Sequence, residues 1–268
     1  MDSTRPIRSL TRGLDALQLL NARGSATVAD VVAAIRLPRT TVYRLLETLR
    51  LEGYVQRNPE DDRYRVTAFA RGLGEAGEAV AAMAAVARPA LEASSRRLAQ
   101  PITFATPAGS TLRAFEVGAF AAAPSDGERR ERLLASASGI AILAGLPAPA
   151  RAAWIDAAQR MARRTGQATP APATVAERIA AAAAAGYAEI PGEPGGEGGC
   201  VAVAIPAAAH GDPRGAVSLR FNSATLPGPS ERRVFLAELQ DCAARIAAEF
   251  TRIVPAARAL ARAGDDRQ

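Results

Sequence analysis

Between Thr27 and Val66 the hydrophobic pattern changes period twice. Val28, Val31, Val32 and Ile35 share one helical face, and Val42, Leu45, Leu46 and Leu49 recur at i, i+3, i+4 and i+7 on a second. Arg36-Leu37-Pro38 separates them, because proline disfavours a helical residue before it yet fits the first turn of the next helix. Thr27 and Asp30 have the spacing of a capping box, with Asp in place of the usual Glu or Gln. Gly53 ends the second helix, predicted over Pro38–Glu52. Tyr54-Val55-Gln56-Arg57 and Arg63-Tyr64-Arg65-Val66 then alternate as strands around the turn Asn58-Pro59-Glu60-Asp61-Asp62. Helix, short turn, helix and hairpin make a winged helix-turn-helix. Ser9 to Asn21 supplies a first helix whose leucines cover it.

At 100° per residue, the face of the second helix opposite its leucines carries Thr40, Arg44 and Glu47, flanked by Thr41, Tyr43 and Thr48. A solvated face more often carries Glu/Lys pairs four apart. Hydroxyls, an aromatic ring and arginines in the early turns suit a helix whose start meets base edges and phosphates. The candidate DNA contacts are Arg39, Thr40, Thr41, Tyr43, Arg44 and Thr48, with Arg57, Arg63 and Arg65 from the wing.

The later pattern predicts a domain order of 1–68 winged helix-turn-helix, 69–87 linker helix, 88–254 second domain (the one the family resemblance below reads as effector-binding) and 255–268 flexible tail. Pro89 to Ala99 reads as a separate helix, followed by strands over Ile102–Thr106 and Thr111–Val117. A polar loop is expected over Ala121–Arg132, and a helix opens at Ser136. Further helices follow over Pro147–Met161 and Val175–Ala185, then strands at Gly186-Tyr187, Cys200–Pro206 and Gly215–Asn222. A last helix, Arg232–Ile253, precedes the tail. The expected class is α+β, an antiparallel sheet with helices on one side.

Composition narrows the function. The 268 residues carry a formal charge of +6, and all 33 basic side chains are arginine. Heavy use of Ala and Arg reads as a compositional bias, so arginine abundance alone says little. Its distribution says more: twelve arginines face eight acidic residues up to Gly72. Such a balance favours a polyanionic partner. Two cysteines and one histidine give neither a disulfide framework nor a zinc site. His210 sits in a turn-like stretch and reads as a solvated loop residue; a Cys200–His210 nucleophile would lack an orienting group. The Gly-rich stretch Pro191–Gly199 lacks the Lys and Ser/Thr of a phosphate loop, and Glu193 and Glu197 would repel phosphate. No enzyme activity, metal or cofactor is expected, and with no signal peptide or membrane span the chain is expected in the cytoplasm.

Several stretches resemble the N-terminal domain of IclR-family transcription regulators: Arg8–Leu14, Leu37–Leu46, Glu52-Gly53-Tyr54-Val55 and Tyr64-Arg65-Val66. Within that family Leu10–Leu14 and Arg39–Val42 are most similar to the branch controlling aromatic-acid catabolism, of the hydroxyphenylpropionate type. Leu134–Leu143, Gly186-Tyr187, Ala202–Pro206 and Ala216–Leu219 resemble the family's GAF-like effector domain. The resemblance implies an operator in double-stranded DNA, an inverted repeat, bound by a homodimer or homotetramer. It also implies a small organic acid as effector, with RNA polymerase as a further partner. The implied pocket wall is Phe104, Ser136, Ser138, Gly139, Ile140, Cys200 and Ala202. Ser138 and the helix start would offer a hydroxyl and unpaired N–H groups to a carboxylate. Simple N-capping by Ser136 and Ser138, and Cys200 as a small buried hydrophobe, are equal readings. The acidic residue expected after Gly-Tyr in relatives that bind small oxoacids is displaced here to Glu189. Arg113 and Arg220 are further candidates to pair with an acid. A rival from another class stays open: a sensor or enzyme whose N-terminal domain contacts protein.

Overall fold

A computed structural model describes residues 7–67, 70, 78–109, 111–118, 129–191, 199–206, 215–221 and 229–265. The N-terminal unit comprises α1 (Arg8–Arg23), α2 (Val28–Ile35), α3 (Arg39–Leu51) and a hairpin of β1 (Val55–Arg57) with β2 (Tyr64–Val66). The capping box at α2 is complete. The Thr27 N–H donates to the Asp30 carboxylate at 2.9 Å, and the Asp30 N–H donates to Thr27 Oγ1 at 3.2 Å. Arg36 closes α2 in the left-handed region, φ 51°. The three helices and the wing meet in one small core of Ala16, Leu20, Val31, Val42, Leu46, Val55 and Tyr64.

The second unit is built on a six-stranded antiparallel sheet in the order β5-β4-β3-β8-β7-β6. Its strands are β3 (Ile102–Ala108), β4 (Thr111–Val117), β5 (Arg129–Arg132), β6 (Ala188–Ile190), β7 (Gly199–Ala204) and β8 (Ala216–Phe221). Two helices, α4 (Glu78–Leu98) and α8 (Pro229–Asp265), cover one face over Ile102, Phe104, Val201, Val203, Val217 and Leu219. The other face packs Ala105, Ala114, Ala202 and Ala216 beneath α5 (Ala137–Ala144), α6 (Ala148–Thr165) and α7 (Pro172–Ala185). Helices therefore flank the sheet on both sides, not one. Both faces of β7 are apolar, as is the face of β8 that carries Val217 and Leu219, and each needs a cover to escape water. A partly exposed polar clamp joins the helices of the first face: Ser94, Arg97 and Arg245 all donate to the Glu238 carboxylate.

Three further boundaries differ from the expected ones. Pro89 lies inside α4 and does not start a helix. Proline removes one helical hydrogen bond, yet Ala84, Ala87 and Leu91 remain buried on one stripe that carries the helix past it. Arg129–Arg132, expected within a loop, forms the edge strand β5 against Thr111–Ala114. The final helix runs on to Asp265, beyond the stop expected at Ile253. Residues 69 and 71–77 of the linker segment, most of the Gly-rich loop and His210 lie outside the described residues.

Leu46 is fully buried at the centre of the small N-terminal core. Leu46→Ala should cost about 2–5 kcal/mol through the cavity it leaves. Denaturant titration of the N-terminal unit measures this, and a wild-type midpoint would mean that the faces of α3 are rotated from those described.

Candidate nucleic-acid interface

The core fixes what α3 presents to solvent. Val42 and Leu46 point inward, so Arg39, Thr40, Tyr43, Arg44 and Thr48 are exposed on the far side, Tyr43 with 47% of its surface accessible. An open groove runs from the start of α2 past Arg39, Thr40, Tyr43 and Arg44 to Arg57 and Tyr64 of the wing. Pro38 precedes α3 without a side-chain cap, so the first amides of the helix are left to an external acceptor. Arg39 and Arg44 have no ion-pair partner among the described residues. Thr41 is only partly exposed, and the Thr48 hydroxyl is turned back onto the Arg44 carbonyl at 2.8 Å. The free cations and donors thus concentrate in the first two turns.

The wing is wired differently from its sequence-level reading. Each of its arginines is already paired: Arg57 with Asp62 at 2.8 Å, Arg63 with Asp30 at 3.6 Å, and Arg65 with Asp61 at 3.1 Å. These pairs are exposed and hold the turn more than they stabilise the fold. Tyr64, buried at the base of the wing, donates its hydroxyl to Glu47 at 3.0 Å, and Glu47 also accepts from Arg50. This bond ties the hairpin to α3 beside the groove. Burial, with the Glu47 bond, pushes the Tyr64 phenol up to about 12. The bond from Arg50 holds Glu47 below its ordinary 4.5, and the Thr27 backbone bond holds Asp30 below its ordinary 3.8. The strand alternation already turned Tyr64 inward, but nothing in the sequence paired it with Glu47.

Comparison with known proteins agrees with this geometry. Residues 9–59 match the IclR helix-turn-helix domain. The N-terminal unit is an IclR helix-turn-helix. The chain is 36% identical over 61 residues to the HTH-type transcriptional regulator XynR of Escherichia coli (strain K12), a match covering 22% of this chain and 24% of XynR. It is 31% identical over 100 residues to the HTH-type transcriptional regulator TsaQ1/TsaQ2 of Comamonas testosteroni, covering 37% of this chain and 36% of the relative. The matched stretches therefore span only about a quarter and a third of these curated relatives. The whole fold is shared with the crystal structure of Thermotoga maritima IclR at a TM-score of 0.52 and 18% identity, covering 91% of this chain and 99% of that one.

In this IclR-like fold the expected effector wall divides. Phe104 is set apart from Ser138, Cys200 and Ala202. It is fully buried on the opposite face of the sheet, against Phe115 and Phe250 beneath α8. Side chains two apart on a strand share a face, and Phe104 has the parity of Ile102, not of Thr103 and Ala105. Gly139 is closely packed: a Cβ there would lie 1.9 Å from the Leu133 carbonyl oxygen, and its N–H already donates to Ser136 Oγ at 3.1 Å. Ser136 is thus the N-cap of α5, and the helix start offers no free amide at Gly139. Ile140 is core.

What does gather on the α5 face is a polar nest. Ser138 Oγ and Ser218 Oγ lie 3.3 Å apart, both buried, and the sheet register places Ala202 and Thr103 beside Ser218. Cys200 is paired in register with Arg220, whose guanidinium lies 3.9 Å from Glu131. Glu131, 8% exposed, also accepts from Arg129 at 2.8 Å. Burial, reinforced by Glu131, pushes the Cys200 thiol up to about 11, so it stays protonated near neutrality. Arg113 lies on the other face, opposite Thr106.

Arg44→Ala should weaken operator binding by roughly 1–3 kcal/mol without altering the melting temperature, whereas Arg65→Ala, removing an already paired cation, should do less. Gel-shift titrations of the two variants at one salt concentration compare them; equal losses would contradict the inequality. A pH dependence follows as well. Glu47 and Asp30 have lowered folded pKa values, so their stabilisation is complete above the ordinary carboxylate range and is lost as pH falls through the lowered values. Hydrogen exchange in α2 and α3 should accelerate on that descent, and Glu47→Gln should flatten the response.

Proposed function

We propose that the chain is a ligand-responsive transcription regulator that reads operator DNA with the start of α3 and senses a small organic acid in its C-terminal half. The observation that carries the DNA half is the conjunction of unpaired Arg39 and Arg44, exposed Tyr43 and an uncapped helix start on one groove of an IclR helix-turn-helix. Such a site supplies phosphate contacts and base-edge donors together. The curated relatives, XynR and TsaQ1/TsaQ2, are named as transcriptional regulators, which supports regulation over protein docking or catalysis. One reading helix per chain fits a homodimer or homotetramer on an inverted repeat. The cytoplasm is where such a protein would meet its operator, and no helix among the described residues is long and apolar enough to cross a membrane.

The sensing half rests on the polar nest. Arg220 and Arg129 converge on the nearly buried Glu131, on a face otherwise lined by small apolar side chains. A ligand carboxylate is chemically equivalent to that of Glu131 and would compete for the same guanidiniums, with Ser138, Ser218 and Cys200 nearby. The apolar surroundings favour an acid with an aromatic or alkyl body over a small oxoacid.

Thermal shift against a panel of aromatic and aliphatic carboxylic acids tests this reading. Arg220→Ala should abolish the shift given by the best acid while leaving operator binding intact. Retention of the full shift would remove the nest from the effector site.

A further inference from the structure

The end of the recognition helix is docked on the effector domain. Glu52, the C-cap of α3, accepts from Arg164 at 3.3 Å, and its carboxylate lies 4.0 Å from Arg160; both arginines belong to α6. Gly53 follows with φ +82° and lies flat on the same helix. A Cβ there would stand 3.1 Å from the Arg160 guanidinium and 3.2 Å from the Ala157 methyl. Tyr54 packs against the core beneath α5 and α6. The Thr67 hydroxyl, where the chain leaves the wing, donates to the Gly53 carbonyl at 2.7 Å. Recognition helix, wing exit and α6 therefore share one junction. Its other side reaches the sensing layer, because Trp154 and Ala157 of α6 sit in the same core as Ile140 of α5.

We propose that this junction is a clasp through which the effector domain holds the reading head in a DNA-competent orientation. Glu52 caps the C-terminal end of α3, whereas Arg39, Tyr43 and Arg44 occupy its start, so docking leaves the reading residues open. A head held at one angle loses less orientational freedom on binding, and loosening it weakens affinity. A shift of α5 and α6 on occupation of the sensing face would be felt directly at the base of the recognition helix, alongside any route through the linker.

A charge swap separates a clasp from simple electrostatics. Net charge alone predicts that Glu52→Arg tightens DNA binding, Arg164→Glu weakens it, and the double variant adds the two. The clasp predicts that each single reversal weakens binding, by about two- to tenfold given that the pairs are half-exposed, and that the double variant recovers most of that loss, with Arg160 still facing the new arginine. The affinity arm rests on the DNA-binding reading and uses a duplex selected from a random pool by the full-length protein. The second arm does not. Trp154, the chain's only tryptophan, is 1% exposed on α6 beside Ala153, whose carbonyl faces Gly53. Its emission should move to longer wavelength in both single variants and largely return in the double. Unchanged emission in the single variants, or additive effects in the double, would overturn the clasp. Selection of no duplex with the emission pattern intact would instead count against DNA binding alone.

Discussion

Everything the N-terminal unit presents outward depends on the burial of Val42 and Leu46. These side chains fill a core too small to accept another rotation of α3, and the helical repeat then places Thr40, Tyr43 and Arg44 in the open groove. Side-chain wiring refines that placement. Tyr64 and Glu47 bind the wing to the helix, and the capping box closes the first turn of α2 at the edge of the groove. Within the groove the cations left free are Arg39 and Arg44 at the start of α3, since the wing's three arginines pair with Asp62, with Asp30 of α2 and with Asp61.

The sheet domain applies a second constraint of the same kind. Strand alternation sends Phe104, Val217 and Val201 to one layer and Ala105, Ser218, Ala202 and Cys200 to the other. The first layer is bulky and dry. The second has short side chains and holds the buried serine pair and the Arg129–Glu131–Arg220 cluster. A carboxylate this well covered is costly to desolvate unless cations surround it. An arrangement of that cost at the edge of an alanine-lined layer is more readily understood as a binding feature than as a stabilising one.

Local physics was legible in the sequence and long-range pairing was not. The capping box, the faces of α2 and α3, and the strands of the wing follow from spacing alone, and the structure reproduces them within a residue or two. The α+β class with its IclR-like layout was equally visible. Pro89 misled because tertiary packing of α4 on α8 outweighs one lost hydrogen bond. Strand β5 was hidden because Arg129–Arg132 has no apolar alternation and is defined by its partner. That Phe104 lies on the sheet face opposite Cys200 and Ala202 is not legible because strand parity across the sheet needs the register, and the close packing of Gly139 on Leu133 spans a turn. The contact between Glu52 and Arg164 joins residues too far apart in the chain for any pattern to connect them.

In the proposed function the start of α3 binds DNA through several phosphates. The dependence of affinity on salt measures this most directly. Releasing counterions from Z phosphates gives a slope of about −0.9Z in log K against log salt, so several contacts imply a steep linear fall. Such a slope is expected for the selected duplex, reduced by about one on replacement of a phosphate-contacting arginine. A flat dependence, or a slope unchanged when Arg39 and Arg44 are both replaced by Ala, would contradict it.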